Sequence, residues 1–231
     1  MVPVNLQDLG NIDYAAAFAV QERLASEIAA GASMETLLLL EHEPIYTIGS
    51  GGRDENVIDP RVEAKRVNRG GDVTYHGPGQ LVGYPLVDLG KRGRDLHRWL
   101  RFLEELLIAV AGDFGVNAAR VDGRTGVWTA RGKLASIGVG VRRWVTMHGF
   151  ALNVTADLAG FTRINPCGIA GCDVTSLALE TGTDIAVGDV KKAVTRRFAP
   201  LLQAWLPQRP HDCEFTSSSA EPGSAAFSAG R

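Results

Sequence analysis

Three β-rich runs follow one another between Gly126 and Val154: Val127-Trp128-Thr129, Leu134–Arg142 and Trp144–Val154. Segments dense in β-branched and aromatic residues, parted by short turns, predict a meander of antiparallel strands. An apolar sheet needs a cover, and the flanking sequence offers helices. Residues Asp13–Ala30 are Ala-rich, set Phe18, Val20, Leu24 and Ile28 near helical spacing, and stop at Gly31. Asp95 is a suitable N-cap for a helix over Leu96–Ala111, with Trp99, Leu100, Leu103, Leu107 and Val110 on one face. Val187–Trp205 reads as a last helix, stopped by Pro207.

Thr36–Leu40 and Ile45–Ile48 have the length of short strands, and Arg69–Gln80 reads as a loop dense in glycine. Leu81–Leu89 reads as a buried strand, with Pro85 pointing to a sheet edge or a bulge. No internal repeat is visible. Together these elements predict an α+β (or α/β) single domain over residues 1–207, a mixed sheet with helices on one side. From Gln208 onward Ser, Ala, Gly and Pro dominate, so 208–231 is expected to be a disordered tail.

A chain of 231 residues can bury roughly 70% of its unfolded surface in one domain. Its net charge of −2 argues against general nucleic-acid binding. No apolar run approaches the ~18 residues of a membrane span. The first twenty residues carry Asp8 and Asp13 without a basic start, unlike a secretory signal. Three cysteines are an odd count for a disulfide framework, so reduced thiols in a cytoplasmic protein are expected.

Cys167 lies in Ile164-Asn165-Pro166-Cys167-Gly168-Ile169. Most free cysteines are small buried hydrophobes. Pro166 and Gly168 put this one on a turn, where a thiol and neighbouring backbone N–H groups can face a bound carbonyl. Cys172 shares the loop, but no second Cys or His pair completes a four-ligand zinc site, even counting His148. No metal and no cofactor are expected. Lys133 lies in Gly132-Lys133-Leu134-Ala135-Ser136-Ile137-Gly138, an apolar setting in a chain with only five lysines among 24 basic residues. Burial makes a lysine available as a base, which arginine never becomes.

The longest unusual segment is Arg69-Gly70-Gly71-Asp72-Val73-Thr74-Tyr75-His76-Gly77-Pro78-Gly79-Gln80. Its glycines suit close approach of backbone to a ligand, and it matches neither the Walker A nor the dinucleotide-binding pattern. In His148-Gly149-Phe150-Ala151-Leu152-Asn153, strand alternation would set small Gly149 and Ala151 opposite His148, leaving space for an acyl chain. His148 itself reads as a core histidine. The run Lys91, Arg92, Arg94, Arg98 and Arg101 suggests a surface that steers an acidic partner.

Taken together, Arg69–Gln80 with Tyr84-Pro85, Gly132–Gly138, His148–Asn153, and Pro166–Ile169 with Thr175-Ser176-Leu177 resemble the lipoate–protein ligase B family, the lipoyl(octanoyl) transferases. The likeness runs from about Leu6 to Trp205. It implies the mixed-sheet fold shared by biotin and lipoate protein ligases. It also implies transfer of an octanoyl or lipoyl group from octanoyl-acyl carrier protein to a lysine of lipoyl domains. The acceptors would be those of 2-oxoacid dehydrogenase complexes and the glycine cleavage H protein. By the same resemblance Cys167 carries the acyl thioester and Lys133 tunes it. The acyl site would be lined by Arg69, Gly70, Gly71, Asp72, Val73, Thr74, Tyr75, His76, Ser136, Ile137, Gly138, Gly149, Phe150 and Ala151. No nucleic acid or membrane takes part, and a monomer is expected.

On this reading Lys133 takes the thiol proton, Cys167 attacks the donor thioester, and the target lysine then attacks the acyl-enzyme. Backbone N–H groups near Cys167 or Gly77 would hold the oxyanion. Three rivals remain open from sequence. One is an ATP-dependent lipoate or biotin ligase, another a non-catalytic module that sequesters acyl chains. The third is a cysteine hydrolase using His76 or His148.

Overall fold

Residues 3–209 are described in a computed structural model of the chain. Strand β1 (Asn5–Asn11) leads into α1 (Tyr14–Ala29), whose N-cap Asp13 accepts from the N–H groups of Ala15 and Ala16. Strands β2 (Thr36–Glu41), β3 (Ile45–Ile48), β4 (Ala64–Arg66), β5 (Val73–His76) and β6 (Gln80–Leu86) follow. Helix α2 (Leu96–Asp113), capped by Asp95, precedes β7 (Ala119–Val121), β8 (Arg124–Thr129), β9 (Gly132–Arg142) and β10 (Val145–Asn153). Short α3 (Leu177–Thr181) and long α4 (Val187–Trp205) complete the order.

Seven strands form the main sheet in the order β1-β2-β6-β10-β9-β8-β7. Only β1 and β2 pair in parallel, so the sheet is mixed, and β8–β9–β10 form the expected meander. A second sheet, β4-β3-β5, stands beside it. Strand β5 lies inside the stretch expected to be loop. Val73-Thr74-Tyr75-His76 are β-formers and all buried, and the flanking glycines obscured them.

The helices cover both faces, not one. Leu37 and Leu39 pack with α2 and α4, while Leu38 and Leu40 pack with Leu24 and Ile28 of α1. The unbroken apolar run of β2 records this, because a strand covered on both sides has no polar face. Pro85 lies in central β6, paired with Leu37 of β2, rather than on an edge. The β6–β10 ladder spans Gln80 to Gly83, breaks at Pro85 and resumes as main-chain pairing at Val87 and Asp88. At the break the Thr146 hydroxyl donates to Pro85 O at 2.6 Å and accepts from Val87 N at 2.9 Å. Proline's missing donor therefore falls where side-chain bonding has replaced the ladder.

Among the described residues no helix is long and apolar enough to cross a membrane. The expected tail falls almost wholly outside the described residues; of it only Gln208 and Arg209 are placed, with Arg209 N donating to Lys91 O at 2.8 Å.

Candidate active site

Lys133 and Cys167, 34 positions apart in sequence, meet in space: Lys133 Nζ lies 2.6 Å from Cys167 Sγ. Backbone pairing brings them together. Lys133 N donates to Asp173 O at 2.8 Å, and Thr175 N donates to Lys133 O at 3.0 Å. The segment carrying the thiol thus runs beside β9 through a parallel bridge at Val174. Cys167 itself adopts φ 58°, ψ 24° between Pro166 and Gly168. A non-glycine residue in this left-handed region stores strain, a recurrent feature of reactive positions. Gly168, at φ 70°, is required there: a Cβ would stand 2.8 Å from Asp72 Oδ2.

Lys133 is 2% exposed. Its Nζ lies 5.2 Å from the centre of the Trp128 ring, a cation–π distance for a protonated amine. On the pocket side, a cavity of about 480 Å³, part of it open to solvent, is lined by Cys167, Arg69, Gly71, Asp72, Val73, Thr74, His76, Ser136, Ile137, Gly138, Gly149, Phe150 and Ala151. Three tight contacts shape the walls. A Cβ on Gly138 would stand 2.9 Å from Gly70 O, one on Gly149 2.3 Å from Gly83 O, and one on Gly83 2.2 Å from the Phe150 ring.

Two expected residues are not on this lining. Tyr75 turns to the other side of β5 and packs with Tyr46 and Phe161, since strand alternation sends it away from its neighbours Thr74 and His76. Gly70 contributes backbone behind the wall, its N–H donating to Val139 O at 2.8 Å. Gly77 is filled by the Tyr75 hydroxyl and does not reach the cavity. The N–H groups of Gly168 and Ile169 are committed to Asn165 O and Pro166 O.

Three lining residues fell outside the expected set: Tyr14, Tyr84 and His148. His148 shares the cavity with Gly149 and Ala151, against the alternation expected for β10. Its φ of 56° breaks that alternation, and its N–H leaves the ladder to bond Gln21 Oε1 at 2.7 Å. Tyr14 is the first residue of α1, and nothing local in sequence marks it as a wall. Tyr84 appeared only as part of a motif.

Arg69 is a buried cation whose Nη groups bond Gly70 O, Thr47 O and Thr47 Oγ1. Burial pushes its pKa down, opposed by nearby Tyr14 and Cys167. Burial also holds the Tyr14 phenol at about 12 and raises that of Tyr84. His76 is held down to about 3 by burial and by His42, and His148 to about 4 by burial and by Arg69. His76 Nδ1 donates to Gln80 Oε1 at 2.8 Å and His148 Nε2 bonds Asn68 Oδ1 at 2.8 Å. Neither bonds Cys167. Burial raises the pKa of Cys172, which opens on a different cleft from Cys167.

The basic run at the start of α2 is not one surface. Arg92 is buried against Glu35, Arg101 bonds Glu104, Lys91 pairs with Asp88, and Arg94 stacks over Trp144.

Known proteins resemble this chain throughout. Residues 13–199 match the lipoyl protein ligase A/B catalytic domain. An octanoyltransferase from Geotalea uraniireducens is 64% identical over 206 residues, covering 89% of this chain and 96% of that protein. One from Geobacter metallireducens is 64% identical over 202 residues, covering 87% and 95%. Among solved structures, a putative lipoate protein ligase from T. acidophilum with bound lipoic acid superposes with TM-score 0.64 at 17% identity, covering 86% of each chain. A biotin protein ligase from Aquifex aeolicus superposes with TM-score 0.52 at 15% identity, covering 89% of this chain and 71% of that one. At such identities these two establish the fold.

Proposed function

The chain belongs to the lipoyl protein ligase A/B catalytic-domain family, and from that premise we propose how it carries out octanoyl transfer: through a thioester on Cys167, without ATP. Octanoyl transfer is the activity named for its 60–64% identical relatives. The observation that carries the covalent route is the 2.6 Å contact between a buried amine and a thiol on a strained turn.

The reaction has two halves. A free thiol is only a few per cent thiolate near neutrality. Passing its proton to Lys133 gives a thiolate–ammonium pair, held by attraction across 2.6 Å and by the Trp128 face under the cation. The thiolate attacks the donor thioester carbonyl, the C–S bond to the carrier breaks, and Lys133 returns the proton to the departing thiol. One thioester replaces another, so this half is nearly balanced in energy. In the second half an acceptor lysine arrives mostly protonated, and a base must remove its proton before it attacks. The first ammonium proton goes to solvent; Lys133, again neutral, takes the second from the attacking nitrogen, and Cys167 leaves as a thiolate beside the Lys133 ammonium. Thioester to amide is downhill, which removes the need for activation.

Arg69, Gly71 to Thr74, His76, Ser136 to Gly138 and Gly149 to Ala151 are assigned to the octanoyl chain. These twelve residues line the cavity and are small or apolar for the most part, which supports that assignment. The donor is taken to be octanoyl-acyl carrier protein. The acceptors are taken to be lipoyl domains of 2-oxoacid dehydrogenase complexes and the glycine cleavage H protein. A catalytic free thiol favours the reducing cytoplasm.

Intact-mass measurement after mixing with octanoyl carrier protein, ATP absent, tests the route. The wild type gains one octanoyl mass that hydroxylamine removes, and Cys167→Ser gains none that is thiol-labile. An adduct of that kind on Cys167→Ser, or a strict need for ATP, would overturn it.

A further inference from the structure

Glu104 of α2 is not on the lining of the cavity that holds the thiol, yet it is tied to the slot that holds Lys133. Its side chain is 2% exposed. Oε2 accepts from Arg101 Nη1 at 2.8 Å and from Arg120 Nε at 3.1 Å. Oε1 accepts from the backbone N–H of Gly126 at 3.2 Å. That glycine is unusual. It has φ +121°, and a Cβ there would stand 2.9 Å from Lys133 Cε, 3.4 Å from Lys133 Nζ and 2.6 Å from Ala135 O. The aliphatic end of Lys133 therefore lies flush on the Gly126 backbone.

The same place is where β8 slips against β9. Val127 pairs with Ala135 but Trp128 pairs with Lys133, a register shift between consecutive residues. A slip bends a strand and leaves polar backbone without a ladder partner. Here the Glu104 carboxylate supplies the partner. An apolar side chain would fill the same volume at less desolvation cost, so packing alone does not call for a carboxylate. What a carboxylate adds is an acceptor aimed at one N–H, held in aim by two guanidinium groups.

We infer that Glu104 is a positioning residue for the thiol–amine pair, fixing Lys133 through the backbone of Gly126. Without the acceptor a buried N–H is left unpaired, β8 moves to satisfy it, and the surface under Lys133 moves with it. Lys133 Nζ then stands off the thiol, and the thiolate loses its nearest counter-charge. This assignment rests on the reading of Lys133 as the proton partner of Cys167.

The experiment is the pH dependence of Cys167 alkylation by iodoacetamide, in a Cys172→Ser, Cys213→Ser background so that one thiol reports. Lys133→Ala moves the midpoint of the rate profile upward. Glu104→Ala is expected to move it in the same direction by about one pH unit, since loss of one well-placed charge contact is worth about that much. Glu104→Gln, which keeps an acceptor oxygen, shifts it less than half as far. Octanoyl transfer by Glu104→Ala falls about 10- to 100-fold in kcat, the scale of a small misplacement of a reacting group. Should Glu104→Ala not fold, Glu104→Met fills the site with a flexible apolar chain and is read identically. A folded Glu104 variant with the unshifted profile, while Lys133→Ala shifts, overturns this inference alone. If Lys133→Ala does not shift either, the thiol–amine reading fails with it.

Discussion

At the scale of single residues, the cavity holds two phenols with opposite accounts. Tyr14 Oη is buried and has no hydrogen-bond partner among the described residues, while Tyr84 Oη bonds His42 Nε2 at 2.7 Å. The tautomer follows from the other ring nitrogen. His42 Nδ1 lies 2.8 Å from Ile12 O, a carbonyl that can only accept, so Nδ1 carries the proton and Tyr84 donates to Nε2. Removing one partner of a buried bond costs about 1–3 kcal/mol, whereas removing an unpaired hydroxyl costs nothing. Urea unfolding should therefore find Tyr84→Phe destabilised by about that amount and Tyr14→Phe as stable as the wild type or more so. A destabilised Tyr14→Phe would mean that its hydroxyl has a partner. Cys167 and Lys133 were legible as candidates because their neighbours in sequence are also their neighbours in space. Tyr14 was not, because its contact with the cavity is made by folding α1 over β10, and no local pattern records that.

Among the elements, β6 carries the clearest conflict between local rule and position. A proline in a central strand is disfavoured because it cannot donate to a neighbour. Thr146, fully buried, resolves this by donating to Pro85 O and accepting from Val87 N. Thr146→Val keeps the shape and leaves that carbonyl and that N–H without it. We expect a loss of about 2–4 kcal/mol, two unmade bonds at the usual scale, read from denaturant midpoints at constant slope. A loss under about 1 kcal/mol would show that the strands re-pair without the hydroxyl. The long helices α1, α2 and α4 were readable because their periodicity is set by burial on one side, and the meander because its β-rich runs are parted by short turns. Strands β1 and β7 escaped notice because they are edges: Asn5–Asn11 is polar and half exposed, and Ala119–Val121 is three residues long. Two-sided covering escaped for a related reason, since a run such as Leu37–Leu40 does not say which helix covers which side.

For the molecule as a whole, three histidines sit at the centre of the fold: His42 bonded to Tyr84, His76 edge-on to His42, and His148 edge-on to Tyr84. Burial lowers the pKa of each, to about 3 for His76 and about 4 for His148. All three are therefore neutral in the native state at pH 7. In the unfolded chain they titrate near 6.5. Between that value and the folded ones the unfolded state binds more protons, so stability must fall as pH falls. The contribution is fully present above about pH 6.5 and is lost progressively below it, until the native rings themselves protonate. At pH 5.5 His76 and His148 each subtract about 1.3 kcal/mol relative to neutrality, and His42 acts in the same direction. Unfolding free energies measured at pH 7.5 and 5.5 should differ accordingly, and His148→Gln should recover about one histidine's share. Carboxylates cannot produce this slope, because their unfolded values lie near 4. A stability flat from pH 7.5 to 5.5 would mean that the rings charge in place, and that the interior beside the cavity is wetter than its burial implies.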